Sequence, residues 1–113
     1  MQQKEIWLIN LDPTVGAEIS KTRPAVILNS DNVGVLPLRL IAPITDYKSH
    51  YKDVPWMLVL QPNAQNGLRK KSMVDLFQVR SVSIQRLHRK MGIITNQQFV
   101  RVQEALQHVF GID

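Results

Sequence analysis

The chain has 113 residues, a formal net charge of +5 and no cysteine, which allows one domain, spanning residues 1–113, and excludes disulfides, thiolate metal sites and a cysteine nucleophile. Its 44% hydrophobic content supports a compact core, and no apolar run approaches the roughly 18 residues of a membrane span. With no signal-peptide pattern near the start, the sequence reads as a cytoplasmic protein without a membrane partner.

The first two thirds hold short β-rich runs. Residues 6–11 form an apolar strand running into the Asp12-Pro13 turn. Residues 25–28 follow Pro24 as a second strand and stop at Asn29-Ser30-Asp31-Asn32. A longer strand covers 38–44, where Pro43 suggests an edge or a bulge. Runs at 57–60 and 72–82 bring the total to at least five strands, spaced as in a small barrel or strongly curled sheet. A short helical turn is expected at 83–87. The period then changes: Thr95 and Gln98 form a capping box, Phe99, Val102, Leu106, Val109 and Phe110 share one helical face, and Gly111 stops the helix.

Charge is unevenly distributed. Residues 1–68 carry six Lys/Arg and six Asp/Glu, whereas residues 69–101 carry eight Lys/Arg against Asp75 alone. Such a cluster suits a polyanion partner, and equally a solvated basic face.

Three loops can carry chemistry. Residues 12–24 form a long connection holding Glu18, Lys21 and Arg23, with Pro24 restricting Arg23 to extended backbone. In residues 45–53, Tyr47 and Tyr51 alternate with Lys48, His50 and Lys52, a pattern that can stack bases and meet phosphates. Thr45, at the strand end, can project its hydroxyl or simply cap the strand. In residues 67–80, Arg69-Lys70-Lys71 precede Gln78, a possible base-edge reader. The three histidines are far apart and show no metal spacing, and Walker, dinucleotide and serine-elbow motifs are absent. Trp7 and Trp56 read as core or interface residues.

The order of these pieces resembles the MazF/PemK family of toxin endoribonucleases. The opening EIWLINLDPTVGAE is similar to the family's first strand and turn, and Thr22-Arg23-Pro24-Ala25-Val26-Ile27 to its Arg-Pro motif. Ile41-Ala42-Pro43-Ile44-Thr45 resembles the strand ending in its catalytic threonine, SMVDLFQVRSVSIQRL its conserved glutamine region, and Glu104-Ala105-Leu106 its last helix. The chain departs from the pattern at Ala17, Ile19, Phe77 and Ser83.

The resemblance implies a mostly β fold with a C-terminal helix, an SH3-like curled β-barrel, as a homodimer. It implies sequence-specific cleavage of single-stranded RNA without metal or other cofactor, and a cognate antitoxin as partner. Arg23 and Thr45 would be catalytic, with Glu18 as a base or, alternatively, a base-edge or loop contact. RNA would meet Gly16, Ala17, Ile19 and Lys21 of the first loop, Asp46, Tyr47, Lys48 and Tyr51 of the second, and Phe77 and Gln78 of the third. Two rival functions fit the same sequence: a toxin of this fold that poisons a protein such as DNA gyrase, and a basic RNA- or DNA-binding module without catalysis.

Overall fold

The computed structural model describes residues 1–33 and 36–112. Seven strands form one antiparallel sheet: β1 (Glu5–Asn10), β2 (Thr22–Ile27), β3 (Leu38–Asp46), β4 (Met57–Leu60), β5 (Ser72–Asp75), β6 (Arg80–Ser83) and β7 (Leu87–Ile93). Among the described residues a single α-helix, α1 (Asn96–Phe110), follows. The sheet runs β4-β5-β3-β2-β1-β7, with β6 also on β3. Among the described residues no ladder joins β4 to β7, so the expected curled, barrel-like sheet is present but open.

The central strands are apolar on both faces. Val26, Ala42 and Ile44 point into one cluster with Leu58, Leu76, Phe99 and Val102. Ala25, Ile27 and Ile41 alternate to the opposite face with Ile9, Leu11 and Val82, as the two-residue period of a strand requires. Burying each large aliphatic or aromatic side chain contributes roughly 1.5–3 kcal/mol.

β3 pairs with β2 on one edge and divides the other between two partners: Leu38 to Ile41 pair with β6, and Ile44 to Asp46 with β5. The expected single strand over 72–82 is therefore broken. A 3₁₀ turn, Leu76–Gln78, separates β5 from β6, and the Asp75 carboxylate caps it by accepting the Phe77 N–H at 3.0 Å. Pro43 lies between the two ladders on β3. It sits in a central strand, not at an edge, because its missing N–H falls where the neighbouring strand is interrupted.

The expected turn at 83–87 is a 3₁₀ turn, Ile84–Arg86, capped by Ser83. It leads into β7, which sequence reasoning did not identify: His88, Arg89 and Lys90 are exposed on an edge strand, where charge discourages pairing with other chains. The helix begins with the expected capping box; Thr95 Oγ1 accepts the Gln98 N–H at 3.0 Å and Gln98 Oε1 accepts the Thr95 N–H at 2.9 Å. Gly111 ends it in the left-handed conformation. Its buried stripe is Phe99, Val102 and Ala105, with Leu106 partly buried; Phe110, expected on the apolar face, is exposed.

Two local features fix the sheet's flank. Buried Asn66 organises the β4–β5 loop: its Oδ1 accepts the N–H groups of Asn63 and Leu68, and its Nδ2 donates to the Gln61 carbonyl. That loop presses on Gly92 of β7, where an added Cβ would lie 2.2 Å from the Gln65 carbonyl oxygen. Buried Glu5 accepts the Gln2 N–H and the Trp7 indole N–H, both at 2.9 Å, and pairs with Lys90 at 3.1 Å. Burial alone would raise the Glu5 pKa. The hydrogen bonds from Gln2, Trp7 and Lys90, with the N-terminal ammonium, outweigh it and bring the value from 4.5 to about 2.

Gly92→Ala should destabilise the fold by about 1–3 kcal/mol, the usual range for overpacking, read from urea unfolding midpoints. A depressed carboxylate pKa contributes stability above the unfolded value that is lost as pH falls through the folded one. Wild-type stability should therefore fall between pH 4.5 and about 2 more steeply than that of Glu5→Gln, which should be the less stable protein at neutral pH.

Candidate active site

The β2–β3 register pairs Ala25 with Pro43. Carried two residues further, it sets Arg23 opposite Thr45, just past the end of the ladder. Both side chains are half-buried and line one open groove of about 730 Å³. The Arg23 Nε–H donates to the Ser20 carbonyl at 3.0 Å, which fixes the side chain's direction. Among the described residues its two terminal nitrogens have no partner, leaving the outer edge of the guanidinium for a ligand.

One wall of the groove is the β1–β2 loop, contributing Ala17, Glu18, Ile19 and Ser20. This loop is well anchored. Its base is closed by Leu11 N–H to the Lys21 carbonyl at 2.9 Å and Lys21 N–H to Asp12 Oδ1 at 3.0 Å. Arg80 Nη1 donates to the Leu11 carbonyl and Arg86 Nη1 to those of Asn10 and Asp12. The half-buried Ile19 packs on the core cluster around Ile9 and Leu11. Glu18 accepts the Val15 N–H at 2.6 Å, so part of its carboxylate already serves the loop.

The other wall carries Trp56, Met57, Asp75, Phe77 and Gln78. Phe77 is 66% exposed and its ring lies 5.7 Å from that of Trp56, tilted by 47°. Gln78 turns its amide toward the first loop: Oε1 accepts the Ile19 N–H at 2.7 Å and Nε2 lies 3.4 Å from the Ala17 carbonyl. Reading a base edge with that amide would require giving up these bonds. Asp75 is 6% exposed. Burial pushes its carboxyl above the usual range, partly offset by hydrogen bonds from the Phe77 backbone and from the backbone and side chain of Gln78.

The structure brings Ala17, Glu18, Ile19, Arg23, Thr45, Asp46, Lys48, Tyr51, Phe77 and Gln78 to this groove. Gly16, Lys21 and Tyr47 do not line it. The Tyr47 ring is covered by the Lys71 ammonium at 3.8 Å, and Asp46 at the rim pairs with Lys70 at 3.0 Å. Sequence reasoning missed Ser20, Trp56, Met57 and Asp75. The nearest signal was the lone aspartate among the cations of residues 69–101. None of those eight cations lines the groove, whose positive charges are Arg23 and Lys48. Among the described residues no three His, Asp or Glu side chains converge as metal donors.

A curled antiparallel sheet with an arginine and a threonine at the floor of an aromatic-walled groove defines a small β-domain with one open, polar cleft. Residues 2–110 match the family described as PemK-like, MazF-like toxins of type II toxin–antitoxin systems, and the chain belongs to that family. It is 29% identical over 113 residues to endoribonuclease MazF9 of Mycobacterium tuberculosis, covering 95% of this chain and 93% of the relative. The crystal structure of MazF from Deinococcus radiodurans superposes with a TM-score of 0.81 at 21% identity, covering 98% of this chain and 96% of that one. A mycobacterial endoribonuclease in complex with its cognate antitoxin superposes at 0.79 with 11% identity, covering 100% and 97% of the two chains.

The Phe77 ring shields Trp56, so in a Trp7→Phe background Phe77→Ala should red-shift the remaining tryptophan emission and increase its quenching by acrylamide. Because Phe77 is largely exposed, the substitution should change stability by no more than about 1 kcal/mol.

Proposed function

We propose that this chain is a sequence-specific endoribonuclease toxin that cleaves single-stranded RNA through the ribose 2′-hydroxyl, and that a cognate antitoxin neutralises it. The observation that carries this reading is the placement of Arg23 opposite Thr45 on the floor of one groove, with the end of the guanidinium unpartnered among the described residues. Family membership and the printed activity of the relative from Mycobacterium tuberculosis support it.

RNA carries its own nucleophile, so the protein's task is alignment and charge stabilisation. As the 2′-oxygen bonds to phosphorus, the P–O5′ bond breaks and negative charge grows on the phosphoryl oxygens. Arg23 presents a planar donor fork to those oxygens and hydrogen-bonds the departing 5′-oxygen. Thr45 donates its hydroxyl to the phosphate and orients it. The 2′-hydroxyl proton goes to a base, for which Glu18 is the groove's candidate: a carboxylate that accepts the Val15 N–H still has lone pairs to offer. The departing 5′-oxygen takes its proton from water, since the guanidinium keeps its own, and Glu18 returns the proton it accepted to solvent. These steps use no metal, and the products are a 2′,3′-cyclic phosphate and a 5′-hydroxyl.

Phe77 and Tyr51 offer rings for base stacking, Lys48 meets a flanking phosphate, and Ala17 and Ile19 border the strand. The exposed Leu36, Leu38 and Leu40 supply apolar surface for a homodimer. The antitoxin-bound mycobacterial neighbour supports a proteinaceous inhibitor as partner.

Replacing the single 2′-hydroxyl at the scissile nucleotide by hydrogen should abolish cleavage while leaving binding nearly unchanged. Arg23→Ala should lower the cleavage rate by about 10²–10³, the usual cost of losing a fixed charge-stabilising donor. Cutting of the deoxy-substituted RNA at the same bond would overturn the mechanism.

A further inference from the structure

Gln78 links the two walls of the groove by hydrogen bonds. Gln78 binds the first loop with both ends of its amide, to the Ile19 N–H and toward the Ala17 carbonyl. Gln78 itself is held from behind. Asp75, nearly fully buried at the end of β5, caps the turn that carries Gln78 by accepting the Phe77 N–H. The bridge has a further geometric consequence. Ala17, Glu18, Ile19, Phe77 and Gln78 border both the main groove and a second cavity of about 430 Å³, whose remaining walls include Leu11, Pro43, Val79 and Arg80. Gln78 and the loop residues it binds thus belong to the partition that the two share.

We propose that Asp75 and Gln78 form a latch that fixes the β1–β2 loop against the groove, making both of them positioning residues for Glu18 and Ile19 and leaving substrate contact to others. This deepens the nuclease reading and rests on it for its effect on catalysis, but the latch itself is a property of the free protein. A buried carboxylate capping a turn is a rigid anchor, since leaving the Phe77 N–H or the carboxylate unpaired carries a desolvation penalty. A glutamine reaching from that anchor to two backbone groups of a loop holds the loop without covalent linkage. The loop's other fastenings differ in place: Arg80 and Arg86 hold its first residues, and the latch holds residues 17–19, those that face the groove.

With the latch released, the loop retains its base but the partition opens and the two cavities join. RNA would then enter a wider groove with Glu18 and Ile19 no longer in place. Binding and chemistry at saturation should both suffer, because Ile19 borders the RNA and Glu18 is the proposed base, while Arg23 and Thr45 stay on strands that the latch does not hold.

The direct test is hydrogen exchange of the Ile19 amide, followed by NMR on the free protein with no RNA present. Gln78→Met keeps length and apolar contact but removes both amide bonds. It should speed Ile19 exchange by on the order of tenfold or more, the loss of about one net hydrogen bond, while amides of the β2–β3 ladder stay protected. Asp75→Ala should have the same local effect, and Asp75→Asn, which keeps an acceptor oxygen for the Phe77 N–H, should restore most of the protection. In the cleavage assay, Gln78→Met should raise KM and lower kcat, each by up to about tenfold. An Ile19 amide that exchanges equally fast in wild type and Gln78→Met would overturn the latch whether or not the protein cuts RNA. Loss of protection across the whole sheet in Asp75→Ala, not rescued in Asp75→Asn, would overturn the role given to Asp75. RNA left uncut by a wild-type protein whose Ile19 amide is protected would contradict the nuclease reading and leave the latch standing.

Discussion

The structure turns on the Asp75 carboxylate accepting the Phe77 N–H. That bond ends β5 and starts a single 3₁₀ turn, and the turn moves the chain from the C-terminal half of β3 to its N-terminal half. One edge of β3 thus serves two partners, and the sheet gains its curl without a long loop. The same turn buries Leu76 in the principal core cluster and leaves Phe77 exposed at the groove. Pro43, a poor residue for a central strand, is tolerated because the interruption faces it. Core, sheet path and one wall of the site share this origin.

The electrostatics separate into structural and functional sets that composition cannot distinguish. Arg80 and Arg86 bind loop carbonyls, Lys90 pairs with buried Glu5, Lys70 with Asp46, and Lys71 covers Tyr47. These cations hold the backbone in place or pair locally. The groove draws Arg23 and Lys48 from the charge-balanced part of the chain. The basic stretch lends Arg80 and Arg86 to the base of one wall and none of its cations to the groove lining. Only the long arm and multiple donors of arginine allow two side chains to fasten three successive carbonyls at the start of the β1–β2 loop.

Much of the fold was legible where a local rule acted alone. The helix start was readable because Thr95 and Gln98 satisfy each other within one turn, and the first strands because their alternation matches a sheet buried on both faces. The break at Asp75 was not, since Ser72 to Val82 has the composition of one strand and the capping bond depends on a carboxylate that reads as a surface charge. β7 was hidden by its exposed cations, and Phe110 fell on the apolar stripe although the sheet does not reach that far along the helix. At the site, Arg23 and Thr45 were legible through motif resemblance, and the β2–β3 register gives their proximity a physical basis. Trp56 and Asp75 were not legible, because each serves the core and the groove at once. Gln78 was visible as a polar residue in the right place, but its bonds to the first loop arise only from tertiary packing.

The proposed mechanism makes one chemical claim: the nucleophile belongs to the RNA, and the protein supplies a fixed guanidinium, a hydroxyl and a base. The most direct measurement of that claim is the chemistry of the ends left on a defined single-stranded RNA, cut by the purified protein in the presence of chelator and analysed by mass spectrometry. Attack by the 2′-hydroxyl predicts fragments ending in a 2′,3′-cyclic phosphate and beginning with a 5′-hydroxyl. Fragments carrying a 5′-phosphate and a 3′-hydroxyl would show that water was the nucleophile and would contradict the account.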